Sequence, residues 1–192
     1  MKRFSIHLAV TVALVCAGAA MAAGGYLSLD ALAFAPAIGA LGMLNVNQKG
    51  SDIAALCAAI NPVSQGVGAV SSGWVAAKDF HRFLAMITAG VLGAAATLDF
   101  KIQQASDAGG TGVKDLVPAK AITQLVKATD DNKVAEINFS AADLDLDNAF
   151  THVRMTATVG AAASLITAHL LGIGPRYAPA SDTDAAAVKE IV

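Results

Sequence analysis

The 192-residue sequence predicts an all-β chain: an antiparallel β-sandwich, jelly-roll-like, with an apolar N-terminal arm and an extended C-terminal arm. Three observations predict it. FTHVRMTATVG alternates almost without fault, Thr151, Val153, Met155, Ala157 and Val159 on one side, His152, Arg154, Thr156 and Thr158 on the other. That is the period-two pattern of a strand with one buried and one wet face. ATLDFKIQQ repeats it, with Leu98, Phe100 and Ile102 inward against Asp99, Lys101 and Gln103. About seven such segments recur roughly every 10 to 20 residues without a helical period between them, the spacing of a sandwich.

The chain divides into an apolar N-terminal arm or signal-like segment (1–48), a sandwich domain (49–174) and a C-terminal arm (175–192). Lys2 and Arg3, the apolar run Leu8 to Val15 and Ala20-Met21-Ala22 are the three parts of a secretory signal, with a cut after Ala22 or Ala23. The apolar character continues to Leu44, however, with Asp30 its only charge. That continuity suits an arm packed on the same chain or on a neighbouring subunit. Ile6 to Ala23 is near the lower length limit of a spanning helix but is poor in large apolar residues. Translation starting at Met43 is a further alternative.

GSDIAALCAA, residues 50–59, suits a short helix capped by Ser51 or Asp52 and stopped by Asn61-Pro62. AVSSGWVAA places Val70 and Trp74 in a strand. In FHRFLAMITAG, His81, Phe83, Ala85 and Ile87 alternate with Arg82, Leu84 and Met86. Both sets are mostly apolar, as in a strand covered on both faces or lying at a subunit contact. SDAGGTGVKD reads as a glycine loop. Thr129-Asp130-Asp131-Asn132 reads as a hairpin turn joining KAITQLVKA to KVAEINFS. FTHVRMTATVG and SLITAHLLG form the last pair. The tail carries Pro175 and Pro179, with one helical turn expected between Asp184 and Ile191.

Composition removes several functions. Thirteen Lys and Arg against fifteen Asp and Glu give a net charge of −2, and no basic run exceeds Lys2-Arg3, so no footprint for direct nucleic-acid binding exists. Charged residues make up 15% against a usual share of about 25%. Much of the 55% hydrophobic content is alanine, which buries little area per residue, and aromatics are 5%, so the core is expected to be thin. Cys16 and Cys57 sit in apolar surroundings without a disulfide framework and read as small buried apolar residues.

No constellation points to catalysis, and no catalytic, cofactor-binding or metal-binding residue is assigned. In DLDLDN, Asp143, Asp145 and Asp147 match the start of a calcium loop in their spacing only. Position six is Asn148 rather than glycine, and position twelve is Arg154 where a bidentate carboxylate is needed. His7, His81, His152 and His169 lack zinc spacing, although His152 and His169 fall on consecutive strands as a cross-strand pair. GGTGVKD lacks the spacing and ending of a phosphate loop, and Ser64, Ser71 and Ser72 lack a nucleophile elbow. Trp74, the single tryptophan, reads as core rather than as a sugar-stacking platform.

From Leu44 to Val192 the chain resembles small virion proteins encoded among the structural genes of tailed bacteriophages. The resemblance is carried by SGWV, ATLDFKIQQASDAGGTG, DLDLDNAFTHVR and PRYAP. It implies a capsid decoration or cement protein that is not an enzyme, built on a jelly-roll or similar sandwich and located at the capsid surface. Its implied partners are the major capsid protein and copies of itself, with no small-molecule substrate. The alternative is an exported, periplasmic or secreted surface-binding module with a cleaved signal.

Overall fold

The structure is a computed structural model that describes residues 48–192. The N-terminal readings, with His7, Cys16 and the start at Met43, lie outside them. After a four-residue helix, α1 (Gly50–Ile53), the chain forms strands β1 (Ala54–Gln65), β2 (Gly68–Ser71), β3 (Val75–Ala76), β4 (Phe80–Ala89) and β5 (Thr97–Ala105). It continues with β6 (Lys114–Asp115), β7 (Leu125–Val126), β8 (Val134–Ser140), β9 (His152–Gly160) and β10 (Ser164–Pro175).

One sheet runs β1-β10-β4-β8 and the other β2-β9-β5-β6; β3 also pairs with β9 and β7 with β5. All pairings are antiparallel. β2 and β3 are therefore one strand broken once, and so are β6 and β7. Across the first break Ser72 takes over the ladder: its N–H donates to the Met155 carbonyl (3.0 Å) and its Oγ accepts from the Met155 N–H (3.1 Å). Across the second, the N–H of Ile122 donates to the Phe100 carbonyl (3.0 Å) and that of Ile102 to the Lys120 carbonyl (2.9 Å). With each broken strand counted once, the sheets run first-eighth-third-sixth and second-seventh-fourth-fifth. This is the order of a double Greek-key jelly roll, so the fold is the one the sequence predicts.

The inner faces meet where the alternation places them. Leu98, Phe100 and Ile102 of β5 and Val153, Met155, Ala157 and Val159 of β9 are all buried, opposite Phe83, Ala85 and Ile87 of β4 and Ala168 and Leu170 of β10. Phe83 stacks on Phe139 (5.1 Å between ring centres, 13°) and meets Phe80 edge-on (5.8 Å, 69°).

Four local expectations are corrected. The helix expected over 50–59 stops at Ile53, and the Ala-rich remainder is strand β1. Pairing with β10 overrides local propensity there, and Asn61-Pro62 is absorbed as a register irregularity between Ile60 and Val63 rather than a stop. An edge strand tolerates proline in this way. Thr129 to Asn132 does not close a hairpin, because β7 lies in one sheet and β8 in the other. Likewise β9 and β10 are not paired with each other, so His152 and His169 lie on different sheets. Finally, the C-terminal helical turn lies at Ala180–Thr183, with Ala180 buried. Beyond it Asp184 Oδ1 accepts from the Leu56 N–H (2.8 Å) and the Ala185 N–H donates to the Leu56 carbonyl (2.7 Å). The tail thereby satisfies part of the free edge of β1, an edge that would otherwise invite foreign strands.

Candidate functional site

The sequence candidates do not converge on one site. Asp143 closes a short turn by accepting from the Ser140 N–H (2.8 Å) and pairs with Lys120 (3.5 Å). Asp145 accepts from Asn148 Nδ2 (2.9 Å), pairs with Lys114, and its own N–H donates to Gln104 Oε1 (2.9 Å). Asp147 is exposed. Among the described residues no group of three or more His, Cys, Asp or Glu is arranged to hold a metal ion. A chelator is accordingly expected to shift the melting temperature by less than about 2 °C, under roughly 1 kcal/mol for a domain of this size. A drop beyond about 5 °C contradicts this.

His81 is exposed, His152 Nδ1 lies 2.9 Å from Thr151 Oγ1, and His169 is half-buried on the outer face of its sheet. The Cys57 thiol is pushed up to about 11, chiefly by burial, so it stays neutral and unreactive at physiological pH. Trp74 is neither core nor platform. It falls in the break between β2 and β3, with the Arg154 guanidinium 4.6 Å from its ring centre. Gly110, at φ +85°, presses against it so closely that a Cβ there would stand 2.6 Å from Trp74 Nε1.

Among the described residues, two of the surface clefts are shallow. One, of about 300 Å³, lies among Ala77, Ala141, Leu144 and Leu146, with Lys78 and Arg176 also lining it. Thr151 supplies its hydroxyl, which already donates to the Ser106 carbonyl (2.8 Å). The other, of about 380 Å³, lies beside Arg82, Asn138, Ser140 and Ile173. In the first, the Thr151 proton is committed to the Ser106 carbonyl although His152 Nδ1 stands 2.9 Å away; in the second, Asp143 also lines the wall and accepts from the Ser140 N–H.

The informative contrast is between the two outer faces. On the six-stranded sheet the outward rows are polar and mutually bonded. Gln103 Oε1 accepts from Arg154 Nε (3.1 Å) and Nη2 (2.9 Å) and from Thr156 Oγ1 (3.0 Å), while Gln103 Nε2 donates to Asp115 (3.0 Å). Lys101 pairs with Asp115 (2.9 Å), and Gln124 donates to Asp99 (2.9 and 3.1 Å). On the four-stranded sheet the register aligns Leu56, Leu171 and Leu84 in one outward row and Ala59, His169 and Met86 in the next, with Ile173 beside Arg82 at one end. The next outward row is Thr167, Thr88 and Val134, the last 58% exposed, and Leu165, 49% exposed, lies beyond it. The four ion pairs among the described residues all lie off these rows. A mostly apolar face, interrupted by His169 and by Thr167 and Thr88, with Arg82 and Glu136 at its margin, has the composition of an interface.

Carboxylates on the polar side set the acid response. Lys101, with Gln103, holds the Asp115 carboxyl below its usual 3.8. Lys127 does so for Asp131 and Lys114 for Asp145, and bonds from Thr111 do so for Asp107. A carboxylate depressed in the folded state contributes stability that is complete above its unfolded pKa and is lost as pH falls through the lower folded value. Melting temperatures are therefore expected to be flat above about pH 5 and to decline from about pH 4 downward. A melting temperature that rises over that interval contradicts this assignment.

Comparison with known proteins adds likenesses of fold. No family model matches the chain, and no curated protein matches it in sequence. Among solved structures it is similar to the SPBc2 prophage-derived protein YomS, at 9% identity and a TM-score of 0.37 over 62% of this chain and 93% of that one. It is similar to a chain of Desmodium yellow mottle tymovirus, at 8% identity and 0.36 over 65% and 88%. It is also similar to the family 11 carbohydrate-binding module of the Clostridium thermocellum cellulase Lic26A-Cel5E, at 13% identity and 0.32 over 66% and 84%.

Proposed function

We propose that this chain is a structural virion protein of a tailed bacteriophage, a jelly-roll subunit that decorates or cements the capsid shell through apolar contacts and performs no catalysis. The observation that carries this reading is the outer face of β1-β10-β4-β8, where Leu56, Leu84, Met86, Leu171 and Ile173 occupy positions that the opposite sheet fills with bonded polar groups. Apolar surface of this kind is spent in assembly or it is a liability. The partners are the major capsid protein and copies of the chain itself. Quantitative mass spectrometry of purified particles tests the reading. The chain is expected at a fixed ratio to the shell subunit, and its absence from particles, or trace amounts, overturns it.

A second reading, an exported surface-binding module, is favoured by the charged start, apolar run and small-residue site at the N-terminus. Against it, Trp74 has Arg154 over its ring and Gly110 against it, which leaves it poorly placed to stack a sugar. The intact mass of the native chain separates the two. A mature start near Ala23 favours export, and retention of residues 1–43 favours the particle.

A further inference from the structure

The apolar face has a self-complementary charge pattern. Arg82 lies on β4 in the row of Ile173 and Ser140; Glu136 lies on β8 two outward rows away, in the row of Met86 and His169. Between them run Leu84, Leu171 and Asn138. Neither charged residue forms an ion pair among the described residues. With strands about 4.8 Å apart and residues rising about 3.3 Å, one in-plane two-fold axis lays Arg82 of one copy against Glu136 of the other, and the reverse. That axis crosses the face beside Leu84, between Leu171 and His169. It leaves the strands of the two copies roughly 40° from antiparallel, close to the approximately 30° at which aligned sheets pack. A single operation thus sets Leu84 on its own copy, lays Leu171 against His169 of the other copy and closes both rim pairs.

We propose that the outer face of β1-β10-β4-β8 is a homodimer interface, seated on Leu84, Leu171 and Met86 and set in register by reciprocal Arg82–Glu136 pairs. The occupant is a second copy because the same patch supplies both charges, as an isologous contact requires. Seven residues of four strands span about 450 Å² of projected area per copy, so the pair reaches about 900 Å², near the approximately 1,000 Å² at which interfaces become specific. The dimer is therefore of modest affinity, suited to reinforcement by further contacts in a shell. This deepens the assembly reading and rests on it only in treating the face as an interface; its test needs no shell.

Sedimentation equilibrium of the full chain is the measurement, with folding of each variant checked by circular dichroism. The wild type is expected to dimerise at micromolar concentrations. Leu84→Asp, at the centre, is expected to leave only monomer. Arg82→Glu and Glu136→Arg are each expected to weaken the dimer roughly five- to tenfold by placing like charges opposite each other. The double variant Arg82→Glu/Glu136→Arg is expected to return within about threefold of wild type, a rescue that loss of packing alone does not produce. Three results overturn the proposal: a monomeric wild type, a Leu84→Asp protein that still dimerises, or a double variant no better than its parents. A monomer in which Met86 resists oxidative labelling assigns the face to another segment of the same chain, and that also overturns it. None of these results bears on whether the chain is found in particles.

Discussion

Phe83→Ala is expected to cost about 3–5 kcal/mol, the range for a large aromatic deleted from a packed core. For a domain of this size that lowers the melting temperature by roughly 10–20 °C. Phe83 is 1% exposed and joins Phe80 to Phe139, so its removal leaves two rings each without a partner. The loss falls at the high end because the surroundings cannot collapse into the hole. Ala55, Ala85, Ala89 and Ala168 are already buried on the same sheet, and an alanine's only side-chain atom is fixed to the backbone. Phe83→Leu keeps most of the volume and is expected to cost under about 1.5 kcal/mol. Denaturant unfolding measures both, and a cost below about 1 kcal/mol for Phe83→Ala contradicts this description of the core.

Gly172→Ala is the second large effect, with the opposite cause. A Cβ at Gly172 would stand 2.5 Å from Phe80 Cδ2 and 2.6 Å from both Cγ and Cε2. Phe80 is 1% exposed, so the ring has no free space in which to turn away. Overpacking of this kind costs about 1–3 kcal/mol, and the added methyl is expected at the upper end because the obstacle is a rigid, fully buried ring. Adding Phe80→Leu to Gly172→Ala is expected to recover part of the loss, so the two substitutions are non-additive. Strict additivity would show that the ring and the glycine do not share the space the structure gives them.

The parts of this fold legible in sequence are those decided locally. β5 and β9 alternate cleanly because one face of each is buried and the other carries Gln103, Arg154 and their partners. β4 shows apolar residues on both faces, and it is the one strand whose sequence announced the outer band, through Leu84 and Met86. Period two tells which side of a strand faces inward but not which sheet the strand joins. Turn residues alone therefore suggested hairpins at Thr129 to Asn132 and after Gly160, where the chain crosses between sheets. β1 was hidden for a related reason: alanine favours helix locally, and what makes this segment a strand is its ladder to β10 and the tail hydrogen bonds at Leu56. The interface candidate is distributed in the same way. Leu56, Leu84 and Leu171 come from three distant segments and align only through register. The position of Trp74 had one faint signal, the Gly109-Gly110 pair, whose partner no sequence pattern names.

Co-sedimentation of the purified chain with assembled capsids, beside a parallel titration of isolated shell subunits, tests the central claim most directly. A decoration site that spans several subunits exists in full only after assembly, and several weak contacts acting together exceed any one of them by orders of magnitude. Saturable binding to assembled shells is therefore expected, with far weaker binding to free subunits. Because the contact is chiefly apolar, binding should persist at about 1 M salt, where the screening length falls to about 3 Å. Tight binding to a monomeric subunit, or release from shells at that ionic strength, would contradict it.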